Sequence, residues 1–534
     1  MNDRKITWIT VGVAAFWLCL LIAWHCYDPS DGFTEAQPGA DNRPAGQVRK
    51  ANDVLIGEFF MQDSARQAAE LQGNWPCFRG SNHSNQATLG EKMSWAEEDF
   101  KEMWSLPAGE GHAAPVISEG RMYVLDYDEQ LSSDALRCFD LLTGKQLWKR
   151  WYRVPLKRNH GFSRTIPAIS DKSVITIGPE GHVMCCDKIT GQMRWSIDMK
   201  KRFLTEIPFW YTAQCPLIDG NTLVLAPAGR DTLMLGVDVN TGQTLWVTPN
   251  TINFKMSHSS VIPMNLGGTP TYVYIGVGGV CGVSAEQNNR GKLLWNTNKW
   301  QPSVVAPSPL QISPNQIFLV AGYGAGGALL QVDKQGTSWR AAIKESYKAS
   351  EGMSSEQQTP VNYKGLLITI LPKDGGGMRE RLAMYRPDDL HRPIWTSAAD
   401  ERFGLGPYMI IGDRLFALKE DGELYMYQLS STSMKLVRKQ RVMDEGIDAW
   451  GPMAYADGML IIRDSKTIKC LKVASKREEN DARISYPERE QARPKVKVAS
   501  KREENDARIS YPEREQARPK VKVASKREEN EAQL

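Results

Sequence analysis

Between about residues 75 and 473, short runs of apolar residues are separated by turns rich in Gly, Asp and Asn. Runs of four to six residues in which apolar and polar positions alternate are typical of β-strands. In the stretch 168–195, four such runs follow one another, with a Pro-Glu-Gly turn and a Thr-Gly turn among the connections. The pattern therefore predicts antiparallel meanders of four short strands.

Two sequence markers recur in register through this region. The first, Asp-x-x-Thr-Gly-x-x-x-Trp, ends at Trp148, Trp195 and Trp246, with a weaker copy ending at Trp295. These tryptophans are 47, 51 and 49 residues apart. The second marker is a strand opening in which apolar residues follow a proline. Its positions are Pro115, Pro167, Pro216, Ser260 (where Ser replaces Pro), Pro309, Pro360, Pro407 and Pro452. The eight openings predict eight repeats of about 48 residues each.

A four-stranded meander of this length cannot bury both of its faces alone, whereas meanders stacked radially cover one another. The glycine of each Thr-Gly turn provides a positive φ. We expect each motif tryptophan to wedge between neighbouring blades, with its indole N–H reaching a backbone carbonyl of the next blade. The sequence therefore predicts an all-β fold, an eight-bladed β-propeller over residues 74–473.

The N-terminal region has a different pattern, because residues 6–24 form a run of 19 residues without a charge. As a helix this run measures about 28 Å, close to the hydrocarbon thickness of a bilayer. Arg4 and Lys5 precede it and acidic residues follow it, which places the N-terminus in the cytoplasm by the positive-inside rule. Residues 1–27 are thus predicted to be a cytoplasmic stub and a single-pass inner-membrane anchor. A cleaved signal peptide is the alternative, although no small-x-small site follows the run.

Two further regions flank the repeats. Residues 28–73 begin with a linker rich in Pro, Gly, Asp and Asn, and continue with apolar residues at helical spacing over 54–71. That spacing predicts one amphipathic helix. Residues 474–534 are low-complexity tandem repeats of a 25-residue unit with mixed charge and few large apolar residues. This composition predicts a disordered tail, with a partner-binding tail as the alternative.

Charge and cysteine content narrow the classes of partner. The formal net charge is +4, but residues 473–534 carry +3 of it. The remainder of the chain is nearly neutral, so no nucleic-acid partner is predicted. The nine cysteines and seven histidines show neither disulfide-type nor zinc-type spacing, and no metal site is predicted.

The repeated motif resembles the tryptophan-docking motif of the quinoprotein propellers that bind pyrroloquinoline quinone (PQQ). The opening Trp-Pro-Cys-Phe-Arg-Gly at 75–80 resembles the start of PQQ-like repeat proteins, and the segment 463–473 resembles their last strand pair. The resemblance covers about residues 74–473 and implies that the first strand completes the last blade. This superfamily contains both dehydrogenases and non-catalytic scaffolds, so the resemblance leaves the activity open.

The adjacent Cys185 and Cys186 favour a dehydrogenase, because quinoprotein alcohol dehydrogenases carry a vicinal disulfide against PQQ. Cys185, however, occupies the same blade position as Cys138, where a small buried thiol is ordinary. The calcium ligands and the aspartate base of those enzymes have no residue-by-residue match in this chain. We therefore assign no catalytic residue, and PQQ with calcium belongs only to the alternative function.

Polar and aromatic residues recur just before the strand openings, where a propeller chain enters its innermost strands. These side chains are expected to line the central channel at one face. The candidate site for a protein or small-molecule ligand consists of His112, Arg164, Gln214, His258, Gln357 and Trp450. Solvation of the channel is the alternative interpretation of the same residues. A peptide- or glycan-binding face that includes Trp210 and Tyr211 is a third.

Together these features predict a membrane-anchored, extracytoplasmic PQQ-like propeller that acts as a non-catalytic binding or assembly scaffold. In fold it resembles the propeller lipoproteins of outer-membrane protein assembly, with a transmembrane helix in place of a lipid. The alternative is a PQQ-dependent dehydrogenase of alcohols or sugars with diverged site residues.

Overall fold

A computed structural model describes residues 2–27, 54–63 and 68–476. The N-terminal helix is Asp3–Cys26, and its segment Trp8–Cys26 is long and apolar enough to cross a membrane. A five-residue helix, Met199–Phe203, and a 3-10 turn, Gly376–Met378, lie within the repeats. The rest of the described secondary structure is β, so the predicted all-β class is confirmed.

The repeats form eight antiparallel sheets, named blades 1 to 8 in chain order. Blade 1 contains Val116–Ser118, Arg121–Asp128, Ser133–Asp140 and Gln146–Arg153. Blade 2 contains Ala168–Ile169, Ser173–Ile177, His182–Asp187 and Met193–Asp198. Blade 3 contains Leu217–Asp219, Thr222–Leu225, Thr232–Asp238 and Thr244–Pro249. Blade 4 contains Ile262–Leu266, Thr269–Gly276, Gly279–Ser284 and Leu293–Thr297.

The second half of the ring continues the same meander. Blade 5 contains Leu310–Ser313, Gln316–Ala321, Gly326–Gln335 and Ser338–Tyr347. Blade 6 contains Val361–Tyr363, Leu366–Ile370, Leu382–Tyr385 and Trp395–Thr396. Blade 7 contains Tyr408–Ile411, Arg414–Leu418, Glu423–Leu429 and Met434–Arg441. Blade 8 contains Ala454–Ala456, Met459–Arg463 and Thr467–Lys472, and its fourth strand is Lys101–Pro107.

The N-terminal strand Lys101–Pro107 closes the ring, because it pairs with the third strand of blade 8. Closure removes the free edge that this blade would otherwise present. A smaller pair, Met93–Trp95 with Ala474–Lys476, reinforces the junction. The strand Ala474–Lys476 therefore falls within the range predicted to be tail, and the rest of that predicted tail lies outside the described residues.

The structure contradicts the amphipathic helix predicted near residues 54–71. In the described part of that segment, Phe59–Gln62 is a strand that pairs with the outer strand of blade 1. Phe59 stacks on Trp151 at 5.6 Å between ring centroids, and the Arg150 guanidinium lies 4.5 Å from the ring centre of Phe60. Cross-strand contacts of this kind stabilise a sheet edge and override the helical spacing of the apolar residues.

Hydrogen bonds explain the Asp-x-x-Thr-Gly motif. In blade 2 the Asp187 carboxylate accepts hydrogen bonds from the backbone N–H and the hydroxyl of Thr190, at 2.9 and 3.1 Å. Gly191 then takes a φ of +69°. A Cβ on this glycine would lie 2.7 Å from the indole of Trp148, which belongs to blade 1. The motif thus makes a tight turn whose glycine receives the tryptophan of the preceding blade.

The same arrangement joins the other early blades. Trp195 lies against Gly242, Trp246 against Gly291, and Trp104 of the closing strand against Gly144. The indole N–H groups of Trp104 and Trp195 donate to Leu141 O and Val239 O, both at 2.9 Å. Trp148, Trp246 and Trp295 make no such hydrogen bond in the described residues, and Trp295 lies in the core between blades 4 and 5.

Candidate functional site

The upper face of the propeller carries the loops that lead into the first strands and the hairpins between second and third strands. At the opposite, lower face, residues 75–87 cross the central channel. Trp75 pairs with Ile117 in blade 1, and the Pro76 carbonyl accepts a hydrogen bond from Ile169 N in blade 2 at 2.8 Å. The segment ends as Gln86–Ala87, a parallel partner of the first strand of blade 7.

Arg79 fixes this crossing segment to the far side of the ring. Its buried guanidinium donates to Thr359 O and Pro360 O of blade 6 at 2.7 and 2.9 Å. It also donates to His83 O at 2.9 Å, and the neighbouring Asn85 amide donates to Tyr408 O at 2.5 Å. Burial lowers the pKa of Arg79 to about 10, so it stays charged at neutral pH. The crossing segment therefore forms a floor, and the channel is a cup.

The cup has a volume of about 330 Å³ and opens at the upper face. Phe78, Arg79 and Asn85 of the crossing segment line it, and each of the eight leading loops contributes at least one residue. This volume lies within the range of sites for small ligands or short peptide segments.

The structure brings five of the six predicted site residues together in this cup. They are His112, Arg164, His258, Gln357 and Trp450. The sixth, Gln214, does not line it. Its amide is buried and exchanges two hydrogen bonds with the Ala226 backbone, at 3.0 and 3.1 Å. The neighbouring residues Ala213 and Cys215 line the cup instead, because successive side chains of an extended segment point in opposite directions.

Both histidines in the cup are held neutral. Burial, together with the charges of Arg463 and Arg164, lowers the pKa of His112 to about 3. Burial lowers the pKa of His258 to about 4, and Arg164 again contributes. His112 Nε2 lies 3.2 Å from the His160 carbonyl, a contact that assigns the proton to Nε2. Neither imidazole therefore adds charge to the cup at neutral pH.

The cup carries more positive than negative charge. Arg164 donates to the carbonyls of Asn159 and His160 at 2.6 and 2.9 Å, and burial lowers its pKa only to about 10. Lys373 is a further lining cation. Glu356 is the one carboxylate among the described lining residues, and burial raises its pKa. Within the described residues, Arg164 and Lys373 make no direct ion pair with a carboxylate.

Aromatic rings surround the opening. Trp450 lies 5.0 Å from His112 between ring centroids, and its indole donates to the Glu420 carboxylate at 3.1 Å. Trp210 stacks on Tyr323 at 5.7 Å with a 17° angle between the rings. No sequence pattern pairs Trp210 with Tyr323, which lies in the hairpin of blade 5. The Phe209-Trp210-Tyr211 triplet before an opening was the available signal.

Comparisons with known proteins agree with this fold. Residues 132–358 match the PQQ-like repeat family described as outer membrane protein assembly factor BamB. Those residues span most of blades 1 to 5, and the ring contains eight such blades. The chain is an eight-bladed β-propeller, and 227 of its 534 residues match this family. No curated protein sequence shows significant similarity to this propeller.

Two solved structures illustrate the range of resemblance. BamB from Moraxella catarrhalis matches at 12% identity and a TM-score of 0.44, over 70% of this chain and 98% of that one. A europium-containing methanol dehydrogenase matches at 12% identity and a TM-score of 0.46, over 74% of this chain and 89% of that one. At these values neither resemblance distinguishes a scaffold from a dehydrogenase.

The residues that line the cup of this propeller do not fit PQQ with calcium. Calcium prefers six to eight oxygen ligands with several carboxylates, whereas the cup offers Glu356 alone among the described lining residues. No group of three His, Cys, Asp or Glu side chains in residues 2–27, 54–63 and 68–476 is placed to hold a metal ion.

The vicinal cysteines do not belong to the cup. Cys185 and Cys186 are free thiols, and they are buried in two different hydrophobic clusters on opposite faces of blade 2. Burial raises the pKa of Cys185 to about 11 and that of Cys186 to about 12, so both are protonated and unreactive at neutral pH. They pack as small apolar side chains, as the comparison with Cys138 predicts.

Proposed function

We propose that this protein is a non-catalytic binding scaffold whose upper face, centred on the cup, takes a segment of a partner protein. The observation that carries this proposal is a preformed cup, closed only at its floor, whose opening is surrounded by exposed aromatic and apolar side chains. Phe209 is 79% exposed and Tyr323 is 64% exposed, and Ile447, on the leading loop of blade 8, is 49% exposed. Large exposed aromatics next to a cavity are typical of interaction surfaces.

The rim is organised before any partner binds. The Tyr211 hydroxyl donates to Lys157 O at 2.6 Å and accepts from Lys157 N at 3.1 Å. The Asn159 amide donates to Phe209 O at 2.8 Å. These bonds join the leading loops of blades 2 and 3, so binding does not have to order them. A rigid rim supports recognition of a partner more than it supports a lid that closes over a reaction.

The proposal places the propeller outside the cytoplasm, anchored in the inner membrane by the N-terminal helix. The length and composition of Trp8–Cys26 and the basic residues before it support this arrangement. An extracytoplasmic scaffold on a membrane tether can engage membrane-associated or exported partners.

Photo-crosslinking in intact membranes tests the proposed face. A photoreactive amino acid replaces Phe209 or Tyr323 at the rim, and, as matched controls, Leu245 or Ile189, which are exposed apolar residues in blades 3 and 2 away from the cup. We expect a discrete adduct of one mass from both rim positions and none from the controls. Adducts of equal yield from rim and control positions, or none from the rim, would refute the proposed face.

A further inference from the structure

We infer that the cup recognises a carboxylate on the partner: an acidic peptide segment whose carboxylate enters the cup beside Arg164 and Lys373, while its apolar neighbours cover the rim. This inference rests on the proposed function and specifies the chemistry of the segment that binds there.

The unbalanced charge of Arg164 is the first argument. The guanidinium lies in the cup wall, and its four hydrogen bonds all go to backbone carbonyls of residues 159–162. Carbonyl oxygens satisfy its N–H groups, but no carboxylate among the described residues pairs with it directly, and the nearby Glu110 is bound to Arg158 at 2.7 Å. Arg164 is half-buried, and a cation that is partly withdrawn from water without a paired anion gains from an incoming carboxylate.

The surrounding side chains favour an anion in the same volume. Lys373 adds a second cation at the wall, and the floor residue Arg79 adds a third. His112 and His258 are neutral, so they do not offset or repel either charge. The Gln357 amide lines the cup and makes no hydrogen bond within the described residues, which leaves its N–H₂ available to a carboxylate. The Glu356 carboxylate repels an anion, but the lining of the cup contains three cations and this one described carboxylate.

The shape of the opening favours a peptide over a small free acid. A small acid would be contained in about 330 Å³ and would leave Phe209 exposed to water. An extended segment that continues out of the cup can cover Phe209 and Tyr323 as well. Burial of these side chains adds apolar contact area to the charge-assisted contact inside the cup.

Fluorescence anisotropy with two matched dye-labelled peptides tests the inference on the full-length protein in detergent. The probes are Gly-Phe-Glu-Gly-Ile and Gly-Phe-Gln-Gly-Ile, with both ends blocked, so that they differ only in the side-chain charge. We expect the glutamate peptide to bind at least tenfold more tightly, with the difference shrinking at high salt. Equal affinity of the two peptides, or binding of neither, would overturn the inference.

Variants separate charge from structure. Arg164→Gln should abolish the preference for glutamate, whereas Arg164→Lys should keep most of it. Lys373→Gln, at an exposed side chain, should reduce it by several fold. Arg340→Gln, at an exposed arginine on the outer strand of blade 5, is the control and should leave the preference unchanged. A preference that persists in Arg164→Gln contradicts the assignment.

Two further arms separate this inference from the proposed function. Free glutarate should compete only weakly with the glutamate peptide, and competition at equal affinity would overturn the choice of a peptide. Phe209→Ser should weaken both peptides. If the two peptides bind equally well and Phe209→Ser still abolishes their binding, the carboxylate inference is refuted but the proposed binding face is not. Absence of crosslinks at the rim refutes the face itself.

Discussion

Replacement of Gly191 by alanine tests the blade-to-blade contact that the repeated motif builds. The glycine has a φ of +69°, and the added Cβ would lie 2.7 Å from Trp148 Cδ2 and 2.8 Å from Phe60 Cε2. A left-handed conformation costs an alanine about 1–2 kcal/mol. Displacing a packed indole adds about 1–3 kcal/mol. We therefore expect Gly191→Ala to lower the free energy of unfolding by about 2–5 kcal/mol.

Gly220→Ala is the matched control, because this glycine has a φ of +58° and its added Cβ would meet nothing within 4 Å. It should cost only the conformational term, about 1–2 kcal/mol. Urea unfolding followed by tryptophan fluorescence measures both variants. Hydrogen exchange should also show faster opening of Gln146–Arg153 and Phe59–Gln62 in Gly191→Ala alone, since both strands border the contact. Equal loss of stability in the two variants would refute tryptophan docking as a source of blade cohesion.

Two further predictions concern buried charge. Burial raises the pKa of Asp134 to about 7, so between about pH 4 and pH 7 the folded state keeps a proton that the unfolded state has released, and stability falls as pH rises. Relative to the variant Asp134→Asn, the wild-type protein should lose about 2–3 kcal/mol of unfolding free energy from pH 5 to pH 7, measured by urea unfolding. Parallel pH profiles of the two proteins would contradict this. Arg79→Met removes the donors to Thr359 O and Pro360 O, and it should lower the free energy of unfolding by about 2–4 kcal/mol. Limited proteolysis within residues 76–88 should become faster, and an unchanged cleavage rate would show that the floor does not depend on Arg79.

The propeller itself could be predicted because its signal is local and repeated. Each Asp-x-x-Thr-Gly turn is fixed by hydrogen bonds within four residues, such as Asp140 to Thr143 at 2.5 and 2.7 Å, so the same residues recur in each copy. The strand openings likewise mark the first strand of every blade. Periodic spacing then fixes the number of blades without knowledge of long-range contacts.

Features that depend on distant partners could not be predicted. The strand Phe59–Gln62 is held by Trp148–Trp151, about 90 residues away, and its own apolar spacing suits a helix. Trp104 docks like the motif tryptophans, but it precedes the first complete motif and pairs with blade 8. The floor of the cup follows from contacts between Arg79 and blade 6, 280 residues away.

The position of the candidate site in the fold could be predicted from the sequence, whereas the exact side chains that line it could be predicted only in part. Position before a strand opening placed His112, Arg164, His258, Gln357 and Trp450 at the cup. Gln214 lies outside the cup, because a shift of one residue in an extended segment reverses the direction of the side chain. Recognition of the rim needed Phe209 and Tyr323 together, and only the closed ring brings the leading loop of blade 3 to the hairpin of blade 5 on one face.

The central claim is that this propeller binds rather than catalyses, and addition of PQQ and Ca²⁺ to the purified full-length protein tests it most directly. Equilibrium binding of PQQ and reduction of a dye with an alcohol or a sugar are measured together. Because the cup offers one carboxylate among its described lining residues, we predict neither a stoichiometric PQQ–calcium complex nor dye reduction. A tight one-to-one complex that oxidises the alcohol would contradict the account.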